Sequence, residues 1–258
     1  MEIGNGRVYV ITGAYAGFGL ALAERLASAH AKLVISGRDE AKLNATLEKL
    51  KKLTDVIAVK ADVTSTRDCK RLIDACVAAY GRIDVMVNNA GVLQHGLKPK
   101  LVNNMVDPNL KGLEYCSFYA MSQMRKQKDG GVMLNVVSTS GAFLKPNEEE
   151  AIYASTKFGA MAYTASLYLA KKDEKIKFLC FCPGGMKTEL FRAAPNREIG
   201  DFMDPNAAAG VLLKQLEAER FGLSVLLRRG KLQYSKDFSL SWQWTSEEEV
   251  DLKNYVNK

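Results

Sequence analysis

The chain has 258 residues, 47% apolar and 25% charged, enough for one large or two small domains with a full core. It contains no apolar run long enough to cross a bilayer as a helix. The net charge of +7 comes from basic residues interleaved with acids, as over Lys42 to Lys52, so no nucleic-acid surface is expected.

In chain order, the first strand is predicted at Val8–Thr12 and runs through Thr12-Gly13-x-x-x-Gly17-x-Gly19 into a helix over Phe18–Ser28. Glycines at a strand–helix joint allow positive φ and close approach of main-chain N–H groups to a phosphate, which the helix N-terminus also attracts. The spacing departs from Gly-x-Gly-x-x-Gly. The second strand, Leu33–Ser36, ends at Ser36-Gly37-Arg38. An NAD site usually has an acid there for the ribose 2′-hydroxyl, whereas neutral Gly37 with Arg38 favours a 2′-phosphate. A helix at Glu40–Lys52 leads to a strand at Val56–Val59, then to Ala61-Asp62-Val63 and a helix at Ser65–Tyr80. The fourth strand, Val85–Asn88, opens Asn88-Asn89-Ala90-Gly91, and a helix is predicted over Val102–Lys126.

The fifth strand, Val132–Val137, ends at Ser138, and the helix at Ala151–Lys171 carries Tyr153 and Lys157 on one face. A strand at Lys177–Phe181 precedes Pro183-Gly184-Gly185-Met186-Lys187-Thr188. Residues Gly184–Asp204, with Pro195, read as a loop or short helices over a cleft. A helix at Pro205–Glu219 and a strand at Ser224–Leu227 follow. This alternation predicts an α/β fold: a single doubly wound Rossmann-type domain with a mainly parallel sheet of about seven strands, flanked by helices. Residues 1–230 form that domain, and 231–258 a tail with Trp242 and Trp244 that packs on the body or on a partner subunit.

A free tyrosine has a pKa of about 10, too high for acid–base work near neutrality, and a nearby ammonium is expected to lower it. Ser138, at the end of a parallel strand, can donate to a carbonyl oxygen that gains negative charge. The two histidines, His30 and His95, exclude a His-rich metal site, and no metal is expected. A Ser-His-Asp hydrolase is disfavoured by the absence of Gly-x-Ser-x-Gly. The five cysteines, Cys69, Cys76, Cys116, Cys180 and Cys182, lack Cys-x-x-Cys spacing and suit reduced core thiols of a cytoplasmic protein. Met1 to Gly4 leads almost directly into a strand, so no signal peptide is expected.

From Val8 to Thr188 these motifs resemble the short-chain dehydrogenase/reductase family. The resemblance implies an NADP(H)-dependent oxidoreductase that interconverts a ketone or aldehyde with an alcohol. It assigns the acid–base role to Tyr153, carbonyl polarisation to Ser138, and pKa lowering and the nicotinamide ribose to Lys157. Asn109 resembles the helix asparagine that holds a water in the proton relay. The cofactor residues implied are Gly13, Tyr15, Ala16, Gly17, Phe18, Gly19, Arg38, Asp62, Val63, Asn89, Ala90, Gly91, Tyr153, Lys157, Pro183, Gly184, Met186 and Thr188. Ala16 stands where many NADP-dependent relatives place a second basic residue. Ser140 is the alternative to Ser138. Leu93, Ser140, Phe143, Leu144, Gly185, Met186, Leu190, Phe191, Phe202 and Met203 are candidates for an apolar substrate pocket and lid.

The Ser138–Tyr153 interval, with Glu148-Glu149-Glu150 inside it, is slightly longer than usual and predicts an extended loop that leaves the site intact. A homodimer or homotetramer through the helices at Val102–Lys126 and Ala151–Lys171 is implied. The competing reading is a non-catalytic NADP-binding regulatory protein, disfavoured by the complete Ser–Tyr–Lys set.

Overall fold

The computed structural model describes residues 1–143, 147–170, 175–192, 202–226, 231–235 and 246–249. Leu144, Pro195, Trp242 and Trp244 lie outside the described residues. Strands β1 (Val8–Thr12), β2 (Lys32–Gly37), β3 (Val56–Lys60), β4 (Val85–Asn88), β5 (Gly131–Val136), β6 (Ile176–Pro183) and β7 (Gly222–Leu226) are parallel. The sheet order is β3-β2-β1-β4-β5-β6-β7, so the winding reverses between β1 and β4 and opens a crevice at their C-terminal ends.

The seven strands read from sequence are all present, and the sheet continues into the segment expected to be a tail. Strand β8 (Lys231–Ser235) pairs antiparallel with β7 and β9 (Ser246–Glu249) antiparallel with β8, giving nine strands among the described residues. Pairing with β8 removes the exposed edge that β7 would otherwise present. Five-residue Lys231-Leu-Gln-Tyr-Ser, with Leu232 and Ser235 buried, has too little periodicity to announce itself.

Helices α1 (Gly17–Ser28), α2 (Glu40–Leu50), α3 (Thr66–Tyr80), α4 (Pro99–Val106), α5 (Gly112–Met124), α6 (Ala151–Ala170), α7 (Glu189–Arg192) and α8 (Pro205–Glu217) cover the sheet. Alternate strand residues face opposite layers. Tyr9, Ile11, Leu33 and Ile35 pack with Leu22, Leu26 and Leu212 on one side; Val8, Val10, Val34 and Met86 pack with Leu72, Cys76 and Met124 on the other. The single helix expected over Val102–Lys126 is instead α4 and α5 joined by a π-turn, Asp107–Lys111. Pro108 cannot donate in an α-helical ladder, and the wider turn accommodates it. His30 closes α1 in an exposed position with φ 57°, as its place after the helix predicts.

Candidate active site

The cofactor-side residues converge because the main chain permits it. Gly13 and Gly17 have φ of 66° and 54°, which side chains other than glycine rarely adopt. A Cβ on Gly19 would collide with the Gly13 carbonyl and the Asn89 amide. The turn is held from β4: Asn89 Nδ2 donates to the carbonyls of Thr12 (2.8 Å) and Gly13 (3.2 Å), and Thr12 Oγ1 accepts from the N–H groups of Asn89 and Ala90, both at 3.0 Å. The Asn-Asn-Ala-Gly motif thus clamps the glycine turn.

Helix α1 begins without a side-chain cap, since Ala16 offers no acceptor and its first turn holds no acid. Helices α2, α3 and α8 are capped by Asp39, Ser65 and Asp204. The first-turn N–H groups of α1 are therefore left for an anion from outside the helix. Phe18 buries its ring against Phe181, with centroids 5.8 Å apart, which leaves its main chain as its contribution to the cleft.

One cleft is lined by Gly13, Tyr15, Ala16, Gly17, Phe18, Arg38, Asp62, Val63, Asn89, Ala90, Gly91, Ser138, Tyr153, Lys157, Pro183, Gly184, Met186, Thr188 and Leu190. Gly19 lies beneath that surface, packed on Asn89. At the far end Arg38 Nη1 stands 3.9 Å from Asp62 Oδ2, with the Arg38 side chain 60% exposed. Asp39 turns away to cap α2 through the Lys42 N–H. Ser36 and Ala61, quoted in the sequence only as neighbours of Arg38 and Asp62, also line the cleft wall, as do Val92, Pro108 and Glu189, which belong to no motif and are placed by proximity in the fold.

Ser138, Tyr153 and Lys157 are buried together where β5 ends beside α6. Gly141 lets this happen: a Cβ there would press on the Lys157 carbonyl and Val137. The Ser138 hydroxyl is near enough to the Tyr153 hydroxyl to favour its ionised form. Lys157 Nζ donates to the Val136 carbonyl at 3.3 Å and lies 5.7 Å from the Tyr153 ring centre. The expected lowering of the phenol pKa is reversed in this structure. Burial pushes Tyr153 up to about 12 against the opposing effect of the Ser138 hydroxyl, and Glu150 adds to the rise. Burial also brings Lys157 down to about 8. Both groups have left water, and loss of hydration disfavours phenolate and ammonium alike. The phenol is consequently protonated at neutral pH.

Asn109 sits in the π-turn, buried, with its Oδ1 accepting from Val92 N (2.7 Å) and Nδ2 donating to Val92 O (2.9 Å) and Thr156 Oγ1 (3.2 Å). Both Nδ2 hydrogens are taken, so the side chain ties the segment after β4 to α6 and has no donor left for a water.

Leu93, Leu101, Met105 and Phe202 form an apolar group against Tyr153, with Val92, Ile152 and Leu190 around it. Leu101 and Met105 went unnamed in the sequence, although their i, i+4 spacing on α4 places them on one face. Three residues expected at the substrate make contacts of their own with the protein. Phe143 packs with the cluster of Leu113, Val137 and Ala160. Ser140 is buried and donates its N–H to Ser138 Oγ at 3.1 Å, and Gly185 accepts from Met203 N at 3.0 Å. Phe191 is on α7, but its side chain lies outside the described residues. The acidic interval is a 3-10 turn, Glu148–Glu150, whose Glu150 is buried with its carboxylate 3.9 Å from His95 Nδ1. Neither residue had been read as part of the site.

The family model for the short chain dehydrogenase matches residues 7–198, and the chain belongs to that family of oxidoreductases. It is 34% identical over 191 residues to a diacetyl reductase, (S)-acetoin forming, from Staphylococcus epidermidis, covering 70% of this chain and 72% of that one. The fold is similar to that of a short chain dehydrogenase/reductase from Burkholderia phymatum in complex with NAD, with TM-score 0.79 and 25% identity over 88% of this chain and 90% of that one. It is also similar to an alcohol dehydrogenase from Thermococcus sibiricus complexed with 5-hydroxy-NADP, with TM-score 0.77 and 23% identity over 86% and 96%. Among the described residues no helix is long and apolar enough to cross a membrane.

Proposed function

We propose that this chain is an NADP(H)-dependent reductase that interconverts a ketone or aldehyde with its alcohol, with Tyr153 as the proton donor. The observation that carries this reading is the joint burial of Ser138, Tyr153 and Lys157 on a cleft that also holds the glycine turn.

The residues present fit a dinucleotide. The glycine cradle would be filled by any Cβ at Gly19, and the uncapped start of α1 suits a pyrophosphate. Arg38, with no acid at position 37, suits a 2′-phosphate. Lys157 would hold the nicotinamide ribose, and Pro183 to Thr188 the carboxamide side. When bound, the cofactor supplies the hydride. Ser138 donates to the substrate oxygen, and Tyr153, protonated at neutral pH, delivers the proton to that oxygen as charge develops. Asn109 holds the segment after β4 against α6 through its side chain, which positions the π-turn beside Tyr153 and Lys157 on α6.

Leu93, Leu101, Met105 and Phe202 favour a moderately apolar carbonyl, and the diacetyl reductase relative supports that substrate class. Phe118 and Leu169, exposed on α5 and α6, support a homodimer or homotetramer through these helices. Five free, buried cysteines support a reducing, cytoplasmic setting.

The test is NADPH oxidation across a panel of ketones and aldehydes, with Tyr153→Phe as control. Turnover in the natural protein and its loss in the variant are expected. Cofactor binding with no turnover on any carbonyl would instead support the regulatory reading.

A further inference from the structure

The end of β2 has a feature that its sequence alone does not show. Gly37 is buried, and a Cβ added to it would fall on the edge of the Tyr15 ring, against Cδ1 and Cε1, with Cζ 3.3 Å away. Tyr15 is half-buried, packs on the core layer that includes Ile35, and lines the cleft beside Gly37, Arg38 and Asp62. The main chain that leads into it is fixed. Ala14 N donates to the Ser36 carbonyl at 3.1 Å, and Asn89 holds the Gly13 carbonyl. The ring therefore occupies the space that any side chain at position 37 would need.

We propose that Tyr15, paired with Gly37, is a specificity-determining residue for the dinucleotide, a role that rests on the NADP(H) reading above. An acid that accepts from a ribose 2′-hydroxyl must leave the β2 main chain in the direction the Tyr15 ring now holds. With that direction closed, Arg38 is the charged group left at the strand end for a 2′-phosphate. The absence of an acid is thus a packing consequence of the glycine turn as well as a choice at position 37.

The two positions must then act together. In Gly37→Asp the ring is driven off its seat into the cleft or the strand end shifts; either disturbs the adenosine side for both cofactors. Removing the ring first frees the space.

The experiment measures NADH and NADPH dissociation constants by calorimetry for the natural protein, Gly37→Asp, Tyr15→Ser and the double variant. Thermal unfolding is recorded for each. Gly37→Asp alone is expected to weaken NADPH and gain no NADH affinity, whereas the double variant binds NADH about tenfold tighter than Gly37→Asp. Gly37→Ala adds only the offending carbon. It is expected to weaken both cofactors and lower the unfolding temperature, with both effects relieved by Tyr15→Ser. Should Gly37→Asp fail to fold, this second cycle decides the matter. NADH gain in Gly37→Asp equal to that in the double variant, or additive effects of Gly37→Ala and Tyr15→Ser, would overturn the pairing. A natural protein that binds NADH more tightly than NADPH would overturn the NADP(H) reading separately, because the steric coupling is read from the cycles whichever cofactor is preferred.

Discussion

The two halves of the cleft are built from different material. The cofactor half is main chain: glycines at positive φ, an uncapped helix start, and a β4 segment whose Asn89 and Thr12 hydrogen bonds hold the turn. The wall we propose for the substrate is side chain: Leu93, Leu101, Met105 and Phe202 packed against Tyr153, with buried Glu150 and half-buried His95 nearby. A main-chain site tolerates few residue types, whereas an apolar wall accepts many of similar size. Mutations in the two halves should therefore separate cofactor binding from substrate choice, with Tyr153 between them.

The largest effect is expected at that boundary. Tyr153→Phe should lower turnover about a thousandfold or more, while NADPH affinity stays within about twofold, as steady-state kinetics and calorimetry would show. Gly19→Ala, on the cofactor side, should weaken NADPH by about tenfold to a hundredfold through its collision with Gly13 and Asn89. An unchanged affinity there would break the distinction between the halves.

Lys157→Met should abolish turnover yet stabilise the fold by about 2 kcal/mol near neutrality, because it removes a buried charge. The sign of its pH dependence follows from the direction of the shift. The folded pKa, about 8, is below the ordinary lysine value of 10.5, so between these values the unfolded chain binds more protons and stability rises with pH. The advantage of Lys157→Met should be full below about pH 8 and fade towards 10.5 in denaturant titrations. Phe202→Ala, on the substrate side, should raise KM for apolar ketones about tenfold and leave NADPH affinity unchanged.

The same division explains what was legible in the sequence. The glycine turn, Asn89, Ser138, Tyr153 and Lys157 were visible because main-chain approach and proton chemistry restrict the residues that can serve. The doubly wound, mainly parallel sheet followed from the βαβ rhythm. Leu101 and Met105 were hidden because an apolar helix face has the same signature whether it meets a core or a cleft. Glu150 was read only as part of an extended acidic loop, and the turn before α6 buries it. The phenol pKa was misjudged because sequence gives a neighbour's charge but not the dehydration of both groups. Strand β8 was too short to show a period, and its partner β7 decides its place.

The most direct measurement of the central claim follows a label. NADPH carrying deuterium at the transferable position is incubated with an apolar ketone and either the natural protein or Tyr153→Phe, and the product is examined by mass spectrometry. One deuterium on the carbinol carbon with the natural protein, and no labelled alcohol with the variant, is the expected result. Equal labelled product from both proteins would contradict proton delivery by Tyr153, and no labelled alcohol from the natural protein with any carbonyl tried would contradict the reductase itself.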